Sequence, residues 1–193
     1  MTIKKRNTAQ STFAKNQKLR FVVSHPNVSA SLFEKILPLL QLQVKEAGVN
    51  FEVQVSESLP EISGNENQLE QVFLNLVSNA CHALEAGGAI KIRASADPSN
   101  WIRIDFEDNG VGIKKEYLSK VFDPFFTTKK SGIGTGLGLS IVYSIVQEHG
   151  GWIEVESQEN RGTVFKIFLP TILKKRETNS EIEKINPTLL KTG

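Results

Sequence analysis

The pattern that most limits the fold of this chain is an alternation of apolar residues with mostly polar or charged ones in two pairs of neighbouring segments. The first pair spans residues 89–96 and 101–107, with the turn 97–100 between them. The second pair spans residues 152–157 and 163–169. A period of two is typical of strands with one buried face, and short turns join antiparallel neighbours. The sequence therefore predicts a largely antiparallel sheet that contains two hairpins.

Helical periodicity is strongest in residues 65–84, and a glycine pair follows the segment. Its apolar face consists of Leu69, Val72, Phe73, Leu76, Val77 and Ala80. An earlier helix ends near Gly48 and contains Pro38, which should kink it or move its start to about residue 37. Three further elements are predicted: a strand at residues 49–55, a short helix at 115–121 and a helix that follows residue 137. This order predicts an α+β fold, a two-layer sandwich with a mixed, mostly antiparallel sheet and helices on one face.

Composition places the chain among soluble globular proteins. Of its 193 residues, 39% are hydrophobic and 23% are charged. The net charge of +2 is too small to indicate nucleic acid as a partner, and the single cysteine, Cys81, excludes an internal disulfide and a multi-cysteine metal site. No apolar run approaches the length of a transmembrane helix, and the first residues do not form a secretory signal. We therefore expect a cytoplasmic chain, or the cytoplasmic piece of a larger protein, without a membrane segment.

The predicted boundaries divide the chain into a basic arm at residues 1–27, a folded domain at residues 28–170 and a polar tail at residues 171–193. Six Lys and Arg residues precede the first acidic residue, Glu34. Such an arm can contact nucleic acid or a membrane surface, but a solvated arm is the simpler interpretation and the one we expect.

A glycine-rich stretch at residues 132–140 leads directly into the last predicted helix. Free backbone N–H groups and the positive end of the helix dipole suit an anion there, above all phosphate. Glycine also lets an oxygen approach the backbone closely. A flexible connector would have the same composition, so the stretch by itself leaves both interpretations open.

Three other groups of residues lie on a helix face or in loops where binding sites commonly occur. Asn75, Asn79 and His82 share one side of the strongest predicted helix. Asp108 begins the run Asp-Asn-Gly-Val-Gly-Ile at a strand end, and Phe122 begins the run Phe-Asp-Pro-Phe-Phe. Taken singly, the first group is also explained as a solvated polar stripe and the second as a turn. The aromatic run next to a glycine stretch indicates a loop that closes over a ligand.

Together, four motifs resemble the ATPase family shared by histidine kinases, type II topoisomerases, the ninety-kilodalton heat-shock chaperones and mismatch-repair MutL proteins. Residues 75–80 are similar to the family's N box and residues 108–113 to its first glycine box. Residues 122–126 are similar to the F box and residues 134–139 to the second glycine box. The residues of these motifs resemble those of the sensor histidine kinases of two-component systems, in their nitrogen-sensor-like subgroup. The resemblance implies a Bergerat-type ATPase fold with a mobile ATP lid.

The resemblance also implies roles in binding Mg²⁺ and the phosphates of ATP. Asn79 would give its amide oxygen to Mg²⁺, with Asn75 close to the metal. This suits Mg²⁺, which takes few protein ligands in nucleotide sites. His82 and Lys129 would reach the phosphates, although a histidine on a helix is more often structural. The catalytic residues implied are Asn75, Asn79 and His82.

For the base of ATP, the resemblance implies that Asp108 accepts a hydrogen bond from the adenine amine. A carboxylate only accepts, so it would repel the carbonyl that guanine has at this edge. Thr163 would help hold adenine through water. The other nucleotide-binding positions that the motifs imply are Gly110, Gly112, Ile113, Phe122, Gly134, Thr135, Gly136, Leu137, Gly138 and Leu139. The phenylalanines of the F box would anchor the lid, dock on a partner helix, or do both.

Two departures from the family pattern bear on the reaction. Hydrolytic relatives carry a glutamate where this chain has Asn75, and an amide cannot take a proton from water, so fast hydrolysis is not expected. The phosphoacceptor histidine of a histidine kinase is normally followed by an acidic residue, but His25, His82 and His149 are not. We therefore expect the acceptor domain to be absent, apart from the last segment of its second helix within residues 10–23. His149 is expected to cap the C-terminus of its helix.

The sequence thus predicts a protein histidine kinase domain that binds Mg-ATP and transfers its γ-phosphoryl group by positioning and charge neutralisation. The expected partners are a separate dimerisation and phosphoacceptor domain and a downstream response regulator. Two alternatives stay open: a stand-alone serine kinase of the anti-sigma-factor type, and a non-enzymatic module in which ATP orders the lid and Phe125 and Phe126 form the binding surface. Residues 123–136 are expected to be the least ordered part of the domain without nucleotide.

Overall fold

The computed structural model describes residues 2–5, 30–56, 59–84, 87–129 and 134–172. The strands in this part of the chain are β1 (Thr2–Lys5), β2 (Asn50–Val55), β3 (Ala89–Asp97), β4 (Trp101–Asp108), β5 (Trp152–Gln158) and β6 (Gly162–Pro170). The helices are α1 (Ala30–Glu46), α2 (Glu66–Ala83) and α3 (Gly138–Glu148). None of these helices is long and apolar enough to cross a membrane.

The strands form one sheet in the order β1-β5-β6-β4-β3-β2. β3 pairs with β4 and β5 pairs with β6 as the antiparallel hairpins that the alternation predicts. β6 joins the two hairpins by pairing with β4. β2 runs parallel to β3, since α2 crosses between them. The predicted α+β fold with a mixed, mostly antiparallel sheet is confirmed.

The helices lie on one face of the sheet, where the apolar residues of both layers form the core. Along β3 the alternation separates the faces, so Ile92 is fully buried while its neighbour Arg93 is partly exposed. Phe73 of α2 packs edge-on against Phe33 of α1 and Phe106 of β4, with ring centroids 5.4 and 4.9 Å away. These contacts fix the rotation of α2 and leave its polar side turned away from the core.

Residues 2–5 form a strand that the sequence did not predict. β1 pairs antiparallel with β5, with Ile3 opposite Val155. Four residues are too few to show a period of two, so only the partner strand reveals this element. The segment at residues 10–23, considered above as part of an acceptor-domain helix, and residues 173–193 of the predicted tail lie outside the described residues. The domain boundaries therefore stay predictions.

Of the two effects expected of Pro38, a kink or a later start of the first helix, the later start is wrong. α1 begins at Ala30 and continues past Pro38 to Glu46. Pro38 cannot donate a hydrogen bond to the carbonyl four residues earlier, at Glu34. Both residues are exposed, so water can satisfy that carbonyl and the helix tolerates the proline.

The short helix predicted at residues 115–121 is also wrong, because this segment is a series of turns. The backbone N–H groups of Tyr117, Lys120 and Asp123 each donate to the carbonyl three residues earlier, over 2.9 Å. Such spacing is that of tight turns rather than of an α-helix. Leu118 and Val121 are buried, which means that packing holds the segment in this shape.

Candidate functional site

One side of α2 supplies polar residues to a cleft. The helix begins after Asn65, whose side-chain oxygen accepts hydrogen bonds from the backbone N–H groups of Asn67 and Gln68 at 3.0 and 3.4 Å. Two turns further on, Asn75 and Asn79 lie on the side that lines the cleft. Because they are four residues apart, their side chains are neighbours on the helix surface.

The cleft has a volume of about 640 Å³ and lies between α2, the loop after β4, the β5–β6 hairpin and the start of α3. It brings together most of the residues that the sequence singled out. The predicted site residues that line it are Asn75, Asn79, His82, Asp108, Gly112, Ile113, Lys129, Gly134, Thr135, Gly136, Gly138, Leu139 and Thr163.

Three predicted site residues lie outside the lining. Phe122 is only 4% exposed and packs against the rings of Tyr143 and Phe165, at centroid distances of 5.7 and 6.3 Å. Leu137 stands immediately before α3. A methyl group at Gly110 would clash with the backbone carbonyl of the last α2 residue. Phe122 and Gly110 thus support the walls of the cleft, and none of the three residues lines its interior.

Asp108 ends β4 at one end of the cleft and is almost completely buried, with 7% of its surface exposed. Its Oδ1 accepts a hydrogen bond from the backbone N–H of Gly110 over 2.9 Å. Burial raises the pKa of the Asp108 carboxyl above its ordinary value, although backbone hydrogen bonds from Gly110 and Thr163 act in the opposite direction. A carboxylate oxygen at this position offers an acceptor to a ligand.

The loop after Asp108 is held against two other elements. The backbone N–H of Val111 donates to the Ala83 carbonyl at the end of α2 over 3.0 Å. The Val111 carbonyl accepts from the Asn160 N–H at the tip of the β5–β6 hairpin over 2.7 Å. Gly112 has a φ of +67°, and a side chain there would strike the backbone of the hairpin. The floor of the cleft is therefore formed by three elements whose backbones are joined by hydrogen bonds.

His82 lies one turn after Asn79 on the exposed rim of the cleft. Its Nδ1 is 2.5 Å from the backbone carbonyl of Ser78. A carbonyl only accepts, so Nδ1 carries the proton in this bond, and Nε2 takes no part in it. The ring is thus oriented by its own helix.

The start of α3 approaches the two asparagines. A methyl group on Gly138 would lie 3.8 Å from Asn75 Oδ1 and from Asn79 Nδ2. No side chain caps this helix end, so its first N–H groups are available to an anion. Asn75 Nδ2 is buried and has no hydrogen-bond partner among the described residues. This end of the cleft therefore offers donors, in contrast to the acceptor at Asp108.

Lys129 brings a cation to the same region, and Gly134 lies against its side chain. Removal from water lowers the pKa of the Lys129 ammonium. Its backbone N–H donates to the Thr127 hydroxyl over 3.1 Å, which turns the chain at this point. An ammonium with little water around it is stabilised by a nearby anion. A bound anion would therefore raise the pKa of Lys129 back towards its ordinary value.

The three phenylalanines of residues 122–126 have different surroundings. Phe122 is in the core, and Phe126 is half-buried with its ring 5.7 Å from that of Tyr117. Phe125 is 75% exposed and has a φ of +65°, a conformation that is unusual for a bulky residue. Gly136, with a φ of +67°, packs so closely on the Phe125 backbone that only glycine fits. The first and third rings thus anchor the segment, while the second points into solvent.

Sequence reasoning missed several cleft residues. Tyr117 lines the cleft from the segment of turns that was predicted as a helix, and Ser78 and Asn160 line it as well. Ser157 does not line the cleft but bonds to two residues that do, Ile113 and Thr163. The hairpin register could have revealed Ser157, because it places this residue directly opposite Thr163.

Comparisons with known proteins agree with this arrangement. Residues 64–172 match the model of the family described as histidine kinase-, DNA gyrase B-, and HSP90-like ATPase. Sporulation kinase E of Bacillus subtilis is 36% identical over 157 residues, which are 81% of this chain and 21% of that protein. Sensor histidine kinase ZraS of Escherichia coli is 36% identical over 76% of this chain and 31% of its own length. The chain therefore spans between about a fifth and a third of these relatives.

Solved structures show the same fold. The catalytic domain of histidine kinase ThkA superimposes with a TM-score of 0.66 and 32% identity, over 76% of this chain and 95% of that one. Full-length ShkA, solved in complex with AMPPNP, gives a TM-score of 0.68 and 30% identity, over 77% of this chain and 31% of that one. The resemblance drawn from the four motifs is confirmed: this chain belongs to the histidine kinase-, DNA gyrase B- and HSP90-like ATPase family.

Proposed function

We propose that this chain binds Mg-ATP and donates the γ-phosphoryl group to a histidine on a separate phosphoacceptor domain in two-component signalling. The observation that carries the proposal is the polarity of the cleft. One end offers the buried acceptor Asp108, and the other offers N–H donors at the start of α3 together with Lys129. ATP has the complementary order of groups, an amine on its base and negative charge on its phosphates.

The base end suits adenine. The Asp108 carboxylate accepts hydrogen bonds and does not donate them, so it favours a base with an amine over one with a carbonyl at the same position. Burial strengthens this preference, because an unpaired carbonyl facing a buried carboxylate has no water to compensate it. Thr163 is 4% exposed and pairs with Asp108 in the β4–β6 register. In this proposal it helps to hold the edge of adenine that carries the amine.

The phosphate end suits a triphosphate with its metal. The unsatisfied Asn75 Nδ2 can donate to a phosphate oxygen. The Asn79 amide oxygen is the Mg²⁺ ligand in this proposal, with Asn75 beside it. When bound, Mg²⁺ supplies neutralisation of the phosphate charge. Lys129 and the N–H groups of α3 add donors that hold and orient the phosphates. In this proposal His82 joins them through Nε2 as an imidazolium, in which both ring nitrogens carry a proton.

Transfer to an acceptor, rather than hydrolysis, fits the acid–base groups of the cleft. Among its described lining residues the carboxylates are Asp108 and Glu159. The first binds Gly110, and the second lies 3.9 Å from the ammonium of Lys114. Neither belongs to α2 or α3, so the described part of the phosphate end holds no carboxylate that could deprotonate water.

The histidines of the described residues favour an acceptor on another domain. His149 uses both ring nitrogens inside the fold, towards Asn65 and Ile145. His82 is followed by an alanine and not by the acidic residue that accompanies a phosphoacceptor. The exposed Phe125 ring offers an apolar contact for the partner that carries the acceptor. A response regulator acts downstream in this proposal, and ThkA has been solved in complex with the response regulator TrrA.

The test is a phosphotransfer assay with γ-labelled ATP and phosphoacceptor domains taken from the relatives named above. The expected product is an acid-labile phosphohistidine on the added domain, with no label on this chain. Asn79→Ala should abolish transfer, whereas Ser144→Ala, an exposed change on α3, should leave it intact. Acid-labile label on this chain alone would contradict the assignment of the acceptor. An acid-stable phosphoserine on a substrate protein would favour the serine kinase, and ATP binding without any transfer would favour the non-enzymatic module.

A further inference from the structure

Ser157, on β5 of the β5–β6 hairpin, connects three parts of the base end of the cleft. Its Oγ accepts a hydrogen bond from the backbone N–H of Ile113 over 2.8 Å. The same oxygen lies 2.8 Å from the carbonyl of Gly162 and 3.0 Å from the hydroxyl oxygen of Thr163. Ile113 and Thr163 both line the cleft. No motif of the family resemblance included this serine.

Counting hydrogens fixes the direction of these bonds. A serine hydroxyl has one hydrogen and accepts through its lone pairs. The Gly162 carbonyl only accepts, so the single hydrogen of Ser157 goes to it. The hydrogen in the bond between the two hydroxyls must then come from Thr163. Thr163 has no second hydrogen to offer, and its oxygen is left as an acceptor towards the cleft.

In this arrangement, two neighbouring side chains at the base end of the cleft act as hydrogen-bond acceptors. Thr163 faces Asp108 in the β4–β6 register, and both are buried, at 4% and 7% exposure. We infer that Ser157 is a positioning residue that holds the Thr163 hydroxyl as an acceptor, so that the base end prefers a purine with an amine at position 6 over one with a carbonyl. The inference rests on the proposed ATP-binding function and deepens it.

The mechanism predicts what happens when Ser157 loses its hydroxyl. In Ser157→Ala the Thr163 hydroxyl has no acceptor on the hairpin side, so it can rotate and donate into the cleft. A donor there can bond to a carbonyl at position 6 of the purine. The penalty against a 6-oxo purine then falls, although Asp108 still opposes it.

The experiment compares the dissociation constants of ATP and inosine triphosphate, which differ at position 6, by calorimetry on the full chain. The wild-type chain should bind ATP more tightly than inosine triphosphate. Ser157→Ala should reduce the dissociation constant for inosine triphosphate divided by that for ATP by about five- to tenfold, which corresponds to the free energy of one hydrogen bond. Ser157→Cys keeps the size of the side chain with a weaker hydrogen-bonding group. It should shift the ratio in the same direction, and it replaces the alanine variant if that variant does not fold.

Thr163→Val supplies the matched control, because it removes the hydroxyl through which Ser157 is inferred to act. In this background Ser157→Ala should leave the ratio unchanged, which is the non-additivity expected of residues that act together. Equal loss of both affinities in Ser157→Ala would reduce Ser157 to a structural role and overturn the inference. A shift that persists without the Thr163 hydroxyl would overturn it as well. Failure of the wild-type chain to bind ATP would instead contradict the proposed function.

Discussion

The imidazole Nε2 of His149 accepts a hydrogen bond from the backbone N–H of Asn65 over 3.0 Å. This bond joins the C-terminus of α3 to the N-terminus of α2. The other ring nitrogen, Nδ1, lies 2.7 Å from the Ile145 carbonyl, so it carries the proton and donates. The prediction that His149 caps its helix is confirmed, since it is the C-cap residue of α3. The same ring also connects the two helices that border the cleft.

The first prediction concerns this connection. His149→Ala should lower the free energy of unfolding by about 1–3 kcal/mol, because it leaves the Asn65 N–H without its partner and removes one of the two hydrogen bonds that the Ile145 carbonyl accepts. Gly64→Ala should also destabilise the fold, since its methyl group would lie 2.6 Å from the His149 ring. Denaturant unfolding measures both changes. Ser144→Ala on the exposed side of α3 is the control, and equal stability of His149→Ala and this control would contradict the prediction.

The second prediction concerns pH and Asp108. Burial raises the pKa of this carboxyl in the folded chain, so ionisation costs stability there. The cost is absent below the ordinary aspartate value of about 3.9, grows as the pH rises through the raised folded pKa, and is constant above it. Asp108→Asn should therefore unfold at a higher temperature than the wild-type chain at neutral pH, while losing ATP binding.

Thermal unfolding of both chains across the acid range tests the sign of this effect. The difference between the two melting temperatures should shrink as the pH falls, because the wild-type carboxyl then takes up its proton. A wild-type chain that is more stable than Asp108→Asn at neutral pH would show that the backbone hydrogen bonds to the carboxylate outweigh its burial. Retained ATP binding in Asp108→Asn would remove the carboxylate from the base contact.

The third prediction compares two lysines of the cleft. Lys129 is half-buried and, among the described residues, makes no ion pair, so its ammonium is ready for a phosphate. Lys129→Gln should weaken ATP binding by about ten- to a hundredfold, in the range of hydrogen bonds to charged groups. Lys114→Gln should have a much smaller effect, since Lys114 is 55% exposed and lies near Glu159. Equal losses of ATP affinity in the two variants would indicate a general attraction between positive side chains and the phosphates, with no specific contact from Lys129.

The fourth prediction separates the phenylalanines. Phe125→Ala should leave the dissociation constant for ATP unchanged but reduce transfer to a separate acceptor domain by about thirtyfold, as expected for an aromatic anchor of an interface worth about 2 kcal/mol. Phe122→Ala should instead destabilise the fold by about 3–5 kcal/mol, because its ring is buried. Single-turnover transfer and thermal unfolding give the two readouts. Loss of ATP affinity in Phe125→Ala would place this ring over the nucleotide and not at an interface.

The periodicity of apolar residues predicted those strands and helices that are long enough to show several repeats of the pattern. The alternation of residues 89–96 and 101–107 gave the central hairpin, and the apolar spacing from Leu69 to Ala80 gave α2 and its polar opposite side. These features depend on neighbours within a few residues. The residues expected to form a nucleotide site came from the resemblance of four motifs to a known family, and not from periodicity.

Other features depend on residues that are distant in the chain, so local pattern could not reveal them. β1 exists through its pairing with β5, and Tyr117 reaches the cleft because buried neighbours hold its segment in turns. The role of Ser157 follows from the hairpin register, which places it opposite Thr163. Pro38 remains inside α1 because its side of the helix faces solvent. Each of these is set by packing between elements.

The backbone bonds that hold Val111 between Ala83 and Asn160 have a consequence for amide hydrogen exchange. The amides of Val111 and Asn160 can exchange only when α2, the loop and the hairpin separate, so their protection should approach that of the sheet itself. At the other end of the cleft, the hydrogen bonds that the amides of Lys129 and Leu137 make within the described residues go to threonine hydroxyls two residues away. Deuterium should therefore enter the proposed phosphate end long before the proposed base end, so the cleft is more rigid where we propose that the base binds and opens more readily where we propose that the phosphates bind.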